Sequence, residues 1–146
     1  MLTAEQRAAV ESTAAKRGWS TYQTQKIIEM MEEASRPADE RRERIRAGLP
    51  VDGERGVRVY VMHDAGGHVK VGVSDNPWWR RCAIEACNPR DVTLVYWSME
   101  FARWRALEVE RTAHQCLSEW RHRNEWFTCN AETAIEAVKG AGGIPE

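Results

Sequence analysis

Tyr60, Lys70 and Arg80 are the residues whose types and spacing first suggest chemistry. Tyr60 and Lys70 lie in two segments, VRVYVMH and HVKVGV, that alternate apolar and polar residues on either side of the turn sequence DAGG. This pattern predicts a β-hairpin, which brings the two side chains near each other on neighbouring strands. Arg80 follows in the first turns of a helix that is predicted to begin at Asp75-Asn76-Pro77. A phenol, an amine and a guanidinium gathered in this way could act on a phosphodiester.

Phosphodiester hydrolysis needs an activated water, positive charge on the non-bridging oxygens and help for the leaving oxygen. Tyr60 is the candidate general base, but a phenol has a pKa of about 10 and needs a nearby cation to ionise at neutral pH. Lys70 is expected at or one step from the cross-strand position, where it would provide that cation. Arg80, near a helix N-terminus, would hold an anionic oxygen. Each residue alone also fits an ordinary exposed position.

A predicted helix from Phe101 to Trp120 carries the candidate metal ligand, Glu110. Mg²⁺ prefers one or two carboxylates and keeps several waters. His114 lies four residues further on the same helix face, where it could orient a water, protonate the leaving oxygen or hold a phosphate. Glu108 faces elsewhere on the helix and serves as an internal control. A solvated Glu–His pair is the competing interpretation.

Four further residues are candidates for contact with nucleic acid. Trp78 and Trp79 are the two adjacent tryptophans of the seven in the chain, and they are the ones expected to be exposed enough to stack on bases. Arg81 neighbours Arg80 but is expected to point to solvent. His63, at the end of the hairpin strand, is an alternative to His114 for the proton-transfer role.

Together these residues resemble the GIY-YIG nuclease superfamily, in the phage and bacterial branch whose second motif reads K-[IV]-G. The resemblance covers about residues 56–138 and rests on five short motifs in order: Val59-Tyr60-Val61, Lys70-Val71-Gly72, Arg80, the helix from Glu110 to His114, and Glu125-Trp126-Phe127.

The resemblance implies a Mg²⁺- or Mn²⁺-dependent endonuclease that cleaves DNA, encoded by a phage or a mobile element. In it Tyr60 would be the base, Lys70 and Arg80 the cations, Glu110 the metal ligand and His114 the auxiliary group. The sequence departs from the family at Arg58, where glycine is usual, and at Ile84, where many relatives carry histidine.

The composition bounds the function without deciding it. With 42% hydrophobic and 29% charged residues and no long apolar run, the chain is expected to be a globular cytoplasmic protein, in the host cytoplasm if phage-encoded, with no membrane segment. The net charge of −1 argues against nucleic-acid binding through bulk charge, but a local cluster would suffice. The four cysteines form no C-x-x-C pair and are expected to be reduced thiols rather than a zinc site.

Two parts are predicted, a helical appendage at residues 1–50 and a nuclease-like domain at residues 51–146. Helices are expected at residues 3–17 and 20–35, the second stopped by Pro37. The fold class is α+β, with a small, mostly antiparallel three-stranded sheet flanked by helices, and residues 125–128 as a short edge segment. The appendage would contact substrate, form a homodimer or bind a partner protein. A catalytically inactive DNA-binding module of this fold and a helical protein-interaction module remain the alternative functions.

Overall fold

Two helices, α1 (Ala4–Arg17) and α2 (Thr21–Arg46), form the first of two units in the computed structural model, which describes all 146 residues. The Thr3 side chain accepts a hydrogen bond from the Gln6 amide, and Gln6 bonds back to Thr3, so a capping box begins α1. Gly18, with φ of 67°, ends it. Leu2, Val10 and Ile28 form the small apolar core of this unit.

The prediction that Pro37 stops the second helix is wrong, because α2 continues through Pro37 to Arg46. Proline lacks the backbone N–H and so removes one helical hydrogen bond, but it does not forbid the helical φ. The residues after it, ADERRERIR, are strong helix formers, and Asp39 and Arg42 form an i,i+3 ion pair at 3.2 Å. Local helix propensity therefore outweighs the lost bond.

The second unit, Ala47–Glu146, is an antiparallel sheet with helices on both faces. Its strands are β1 (Arg58–Asp64), β2 (Val69–Ser74), β3 (Val92–Trp97), β4 (Arg121–Arg123) and β5 (Trp126–Phe127), in the spatial order β3-β1-β2-β5-β4. Its helices are α3 (Pro77–Ala86), α4 (Arg103–Cys116), a short 3₁₀ helix (Ser118–Trp120) and α5 (Ala131–Gly140). The α+β class is confirmed, whereas the count of three strands is wrong.

The two additional strands explain that error. In β4 the three side chains of Arg121, His122 and Arg123 are all exposed, so the segment has no apolar alternation to reveal it. The segment expected at the edge is β5, which lies inside the sheet between β2 and β4. The predicted long helix is also shorter, since α4 begins at Arg103 and ends at Cys116.

The two faces of the sheet bury different sets of residues, because side chains alternate along a strand. Val59, Val61 and Val71 face the main core, which α4 and α5 cover. Tyr60 and Met62 face the opposite side with Val92, against Ile84 of α3. None of the helices combines the length and the apolar character that crossing a bilayer requires.

Candidate functional site

The hairpin of β1 and β2 places Tyr60 directly opposite Gly72. Tyr60 is 1% exposed, and its ring lies on the α3 face of the sheet with Met62 and Val92. Its hydroxyl reaches across the hairpin, so a Cβ on Gly72 would lie 2.5 Å from the hydroxyl oxygen. The glycine of the K-V-G sequence is therefore the residue that makes room for the phenol. Sequence reasoning used Gly72 only as part of a motif and missed this role.

Lys70 lies two residues before Gly72 and opposite Met62, so it is diagonal to Tyr60 and not its cross-strand partner. The lysine is 7% exposed. Its ammonium group forms an ion pair with Glu125, which comes just before β5, and lies 5.8 Å from the Trp126 ring centre. Lys70 is thus engaged by a carboxylate and is not a free cation held against the phenol.

The cation beside the Tyr60 hydroxyl is Arg80. Burial raises the pKa of Tyr60 to about 12, and Arg80 acts against this shift by favouring the phenolate. The negative charges of Glu125 and Glu110 add to the rise. Lys70 was expected to lower the pKa of Tyr60. In the structure Arg80 has that effect instead, and the two carboxylates raise the pKa.

Helix α3 presents Arg80 near its start. The Asn76 side chain accepts a hydrogen bond from the Trp79 amide at 3.0 Å, and Pro77 occupies the first turn, so cap and proline together fix where the helix begins. Arg80 is exposed and forms no ion pair with a carboxylate. Its neighbour Arg81 does not point freely to solvent as expected, because it donates to Glu85 at 2.8 Å and to the Val92 carbonyl at 3.2 Å.

Glu110 is half-buried on α4 and forms neither a hydrogen bond nor an ion pair. Burial, followed by the negative charge of Glu125, raises the pKa of this carboxyl group. Lys70, Arg103 and Arg111 act in the opposite direction. Glu108, two residues earlier, is exposed and paired with Arg105 at 2.7 Å, so the two glutamates of this helix differ as the sequence predicts.

His114, one turn after Glu110, is fixed by the backbone of β2. Its Nε2 lies 2.9 Å from the Val71 carbonyl oxygen. A carbonyl only accepts, so Nε2 carries the proton and donates it, which leaves Nδ1 as an acceptor in the neutral ring. Burial lowers the pKa of His114. At neutral pH the ring is therefore uncharged, and its Nε2 proton is already committed to Val71.

These side chains meet at an open edge of β2. Strand β5 pairs with β2 only at Val69 and Lys70. The Val71 amide then donates to the Glu125 carbonyl at 3.3 Å, and the Val71 carbonyl meets His114. Beyond that point no strand covers β2 on this side. The candidate site, defined as Tyr60, Lys70, Arg80, Glu110, His114 and Glu125, surrounds this edge. Glu125 was not among the predicted site residues, although it is the first residue of the Glu125-Trp126-Phe127 motif.

The three other residues predicted to contact nucleic acid, His63, Trp78 and Trp79, lie in different surroundings. His63 lies three residues from Tyr60 on β1, on the opposite sheet face, so it does not belong to the site. Trp78 is 48% exposed and packs against Trp97, with ring centres 5.2 Å apart. Trp79 is 73% exposed and lines a shallow groove of about 300 Å³ together with Arg80.

Two positions that depart from the sequence resemblance have structural roles. Arg58 is buried and donates to the Ser98 carbonyl at 2.8 Å and to Glu146 at 3.0 Å. Ile84 packs in the apolar cluster beside Tyr60. Both side chains therefore support the fold around the phenol.

The donor chemistry of the site fits one hard divalent cation but not a closed metal cage. No group of three or more His, Cys, Asp or Glu side chains lies close enough to hold a metal by itself. Mg²⁺, however, takes one or two carboxylates together with waters and substrate phosphates. Glu110 is such a carboxylate, since it lacks a partner and its raised pKa means that positive charge nearby would be favourable. Glu125 is the second carboxylate near it.

The second unit is thus an α+β domain that gathers a phenol, a guanidinium and a carboxylate at one open sheet edge. The T5orf172 domain family matches residues 57–141, which is more than half of the chain, and the chain belongs to this family. The family is phage-associated and nuclease-like. No curated protein and no solved structure matches the chain.

The match corrects the resemblance drawn from the sequence, because the T5orf172 family is distinct from the GIY-YIG superfamily. Motifs such as Val59-Tyr60-Val61 and Lys70-Val71-Gly72 are only three residues long. Alternating β-branched residues around a tyrosine or a glycine are common in hairpin strands in general. Short strand motifs of this kind describe the hairpin well but do not separate one family from another.

Proposed function

We propose that the protein is a divalent-metal-dependent endonuclease that hydrolyses DNA phosphodiester bonds at the site around the open edge of β2. One observation carries this proposal. The buried Tyr60 hydroxyl lies beside the Arg80 guanidinium, which has no carboxylate partner, and within electrostatic range of the unpaired Glu110 carboxylate. Unpaired charges of both signs around a buried phenol stabilise the fold little, and they suit a reaction on a phosphate.

In the proposed reaction Glu110, assisted by Glu125, would hold Mg²⁺ or Mn²⁺, which would stabilise the negative charge that develops on the phosphate oxygens. Arg80 binds a non-bridging oxygen of the scissile phosphate. Water attacks phosphorus and gives its proton to the phenolate form of Tyr60. The P–O bond to the leaving oxygen breaks, and the phosphodiester becomes a phosphomonoester and an alcohol. The leaving oxygen takes its proton from solvent, because the proton on His114 Nε2 is donated in the hydrogen bond to the Val71 carbonyl.

The raised pKa of Tyr60 is the main obstacle to this reaction and also a clue to how it could be overcome. Without a bound cation, a phenol with a pKa of about 12 is almost entirely protonated at neutral pH. Part of the rise comes from the negative charges of Glu125 and Glu110. A divalent cation on Glu110 would remove the opposition of this carboxylate to the phenolate, while burial would remain the largest cause of the raised pKa and Arg80 the group that counters it. Cation binding would therefore favour the phenolate form of Tyr60.

Lys70 and His114 are positioning residues in this scheme. Lys70 holds Glu125 beside the site through their ion pair. His114 takes up the Val71 carbonyl, which would otherwise be a bare edge acceptor, and so keeps the β2 edge in place beneath Tyr60.

A plasmid-nicking assay tests the proposal with wild type, Glu110→Gln and the matched control Glu108→Gln, in Mg²⁺, in Mn²⁺ and in EDTA. Wild type and Glu108→Gln should nick only with a divalent ion. Glu110→Gln should lose activity by about 10²-fold or more, as expected for losing one charge-stabilising group. Wild type that binds the plasmid but nicks it under no divalent ion would point instead to an inactive DNA-binding module.

Thermal unfolding provides a readout of the cation that does not depend on activity. A cation that binds only the folded protein raises the unfolding midpoint as its concentration rises. The midpoint of wild type and Glu108→Gln should rise with Mn²⁺, whereas that of Glu110→Gln should not. An equal rise in all three proteins would exclude Glu110 as the ligand.

A further inference from the structure

The cations of the second unit fall into two groups that the sequence cannot distinguish. Residues 47–146 contain twelve lysines and arginines. Seven of them have a carboxylate oxygen within 4.0 Å. The five without one are all exposed arginines: Arg80, Arg103, Arg111, Arg121 and Arg123.

These five arginines are not scattered over the surface. Arg80 lies beside the Tyr60 hydroxyl. Arg111 is the neighbour of Glu110 on α4, and Arg103 lies two helical turns before Glu110 on the same side of that helix. Arg121 lies against the Phe127 ring, and that ring is 5.2 Å from the His114 ring. Four of the five are thus close to a residue of the candidate site, and Arg123 is two residues from Arg121 on the same strand.

Helix α4 contributes two members at a defined spacing. Arg103 and Arg111 are eight residues apart, which corresponds to about 12 Å along a helix. That is the length of three to four base-pair steps along a DNA duplex. Arg105, which lies between them in the sequence, forms an ion pair with Glu108. One helix therefore carries two unpaired arginines near Glu110 and one neutralised arginine away from it.

Strand β4 contributes the other pair. Its side chains are all exposed at the sheet edge. The Arg121 guanidinium lies 5.3 Å from the Phe127 ring centre and donates to the Asn124 carbonyl at 2.8 Å. These contacts hold the group in place without neutralising it. Charged side chains on an edge strand prevent it from pairing with another chain. That protection does not require the charges to be arginines close to the candidate site.

We propose that Arg80, Arg103, Arg111, Arg121 and Arg123 form an arginine track that binds successive backbone phosphates of DNA on either side of the bond to be cut. The inference rests on the proposed function for the location of that bond at Arg80. It also explains how a unit with twelve basic and fourteen acidic residues can bind a polyanion. The other seven cations are neutralised locally, so the positive charge that remains is concentrated at the site.

The test measures the salt dependence of duplex DNA binding by fluorescence anisotropy, with the full-length chain in EDTA so that no cleavage occurs. Each phosphate contact that is lost lowers the slope of log K against log salt by about 0.9. Arg103→Gln, Arg111→Gln and Arg123→Gln should each show this decrease, with an affinity about eightfold lower at 0.1 M salt. The controls Arg105→Gln and Lys139→Gln remove paired cations and should leave the slope unchanged.

Three results would overturn the arginine track: no DNA binding even at 50 mM salt, equal slopes for all variants, or an equal decrease for Arg105→Gln and Arg111→Gln. Single-stranded DNA of the same length, run in parallel, shows whether the track requires the duplex, since the expected slope per contact is then about 0.7. Binding in EDTA is separate from nicking. Lowered slopes without nicking would refute only the proposed function, and nicking with unchanged slopes would refute only the track.

Discussion

Gly72→Ala is the most direct test of how the site is built. The added Cβ would lie 2.5 Å from the Tyr60 hydroxyl oxygen and 2.7 Å from the ring carbon that carries it, where ordinary contact begins at 3.4 Å. The phenol must therefore move by about 0.9 Å, the difference between 3.4 and 2.5 Å. The backbone at Gly72 is not left-handed, so the substitution acts through this one contact.

The phenol has little room to move. Tyr60 is 1% exposed and is surrounded by Met62, Val92 and Ile84. Adding a methyl group to such a site costs about 1–3 kcal/mol. In a domain of about 100 residues each kcal/mol lowers the unfolding midpoint by roughly 4–8 °C. A displacement near 1 Å at a reacting group also costs about 10²-fold in rate, so activity should fall further than stability alone explains.

Calorimetry and the nicking assay on purified variants check both effects, with Gly140→Ala as the matched control. Gly140 ends α5, and a Cβ there meets nothing within 4 Å. That variant should retain full activity and unfold at the same or a slightly higher temperature, since alanine favours helix. In a Tyr60→Leu background, which lacks the ring carbon and hydroxyl at issue, Gly72→Ala should cost much less. If Gly72→Ala unfolds and nicks like wild type, the close approach of Tyr60 to Gly72 is refuted.

Three further predictions follow from individual groups. The pKa of Tyr60 is about 12 when folded and about 10 when unfolded, so its contribution to stability is complete below pH 10 and is lost as the pH rises toward 12. By pH 11 the free energy of unfolding of wild type, measured in urea, should have fallen by about 1 kcal/mol relative to that of Tyr60→Phe. A constant difference between the two proteins from pH 8 to 11 would contradict burial of the phenol. Nitrogen NMR of His114 should show the Nε2–H tautomer and a pKa below 6.5, whereas an Nδ1–H tautomer would exclude its bond to Val71. Pro37→Ala should restore a helical hydrogen bond and stabilise Met1–Arg46 by up to about 3 kcal/mol, and lower helicity by circular dichroism would count against a continuous α2.

The parts of the fold that the sequence predicts are those in which one local pattern decides the outcome. The alternation around Tyr60 predicts β1 and β2, and Asn76-Pro77 predicts the start of α3. These segments are confirmed because burial on a sheet face and a helix cap act over a few residues. Helix α5 has a local start signal of the same kind, since it begins at Ala131 after an Asn130 cap.

The parts that the sequence does not predict depend on contacts between distant segments. Strand β4 exists because Arg121 and Arg123 have β5 as a partner, and their exposed charges give no sign of it. The exchange of roles between Lys70 and Arg80 has the same origin. In the sequence both residues are candidate cations that follow Tyr60. Only the tertiary structure pairs Glu125 with Lys70 and leaves Arg80 without a carboxylate partner beside the Tyr60 hydroxyl. The arginine track depends on such pairing throughout and cannot be read from residue types.

The candidate site ultimately depends on a strand that ends early. Strand β5 is two residues long and pairs with β2 only at Val69 and Lys70. If it continued in register, its backbone would occupy the Val71 carbonyl and cover the edge at Gly72. Instead His114 takes the carbonyl, and the edge beyond it remains open beside Tyr60 and Glu110. An uncovered sheet edge invites aggregation and is normally protected. Here the protecting groups are an imidazole and a carboxylate, so the feature that keeps the edge from pairing with another strand is also the one that could admit a phosphate.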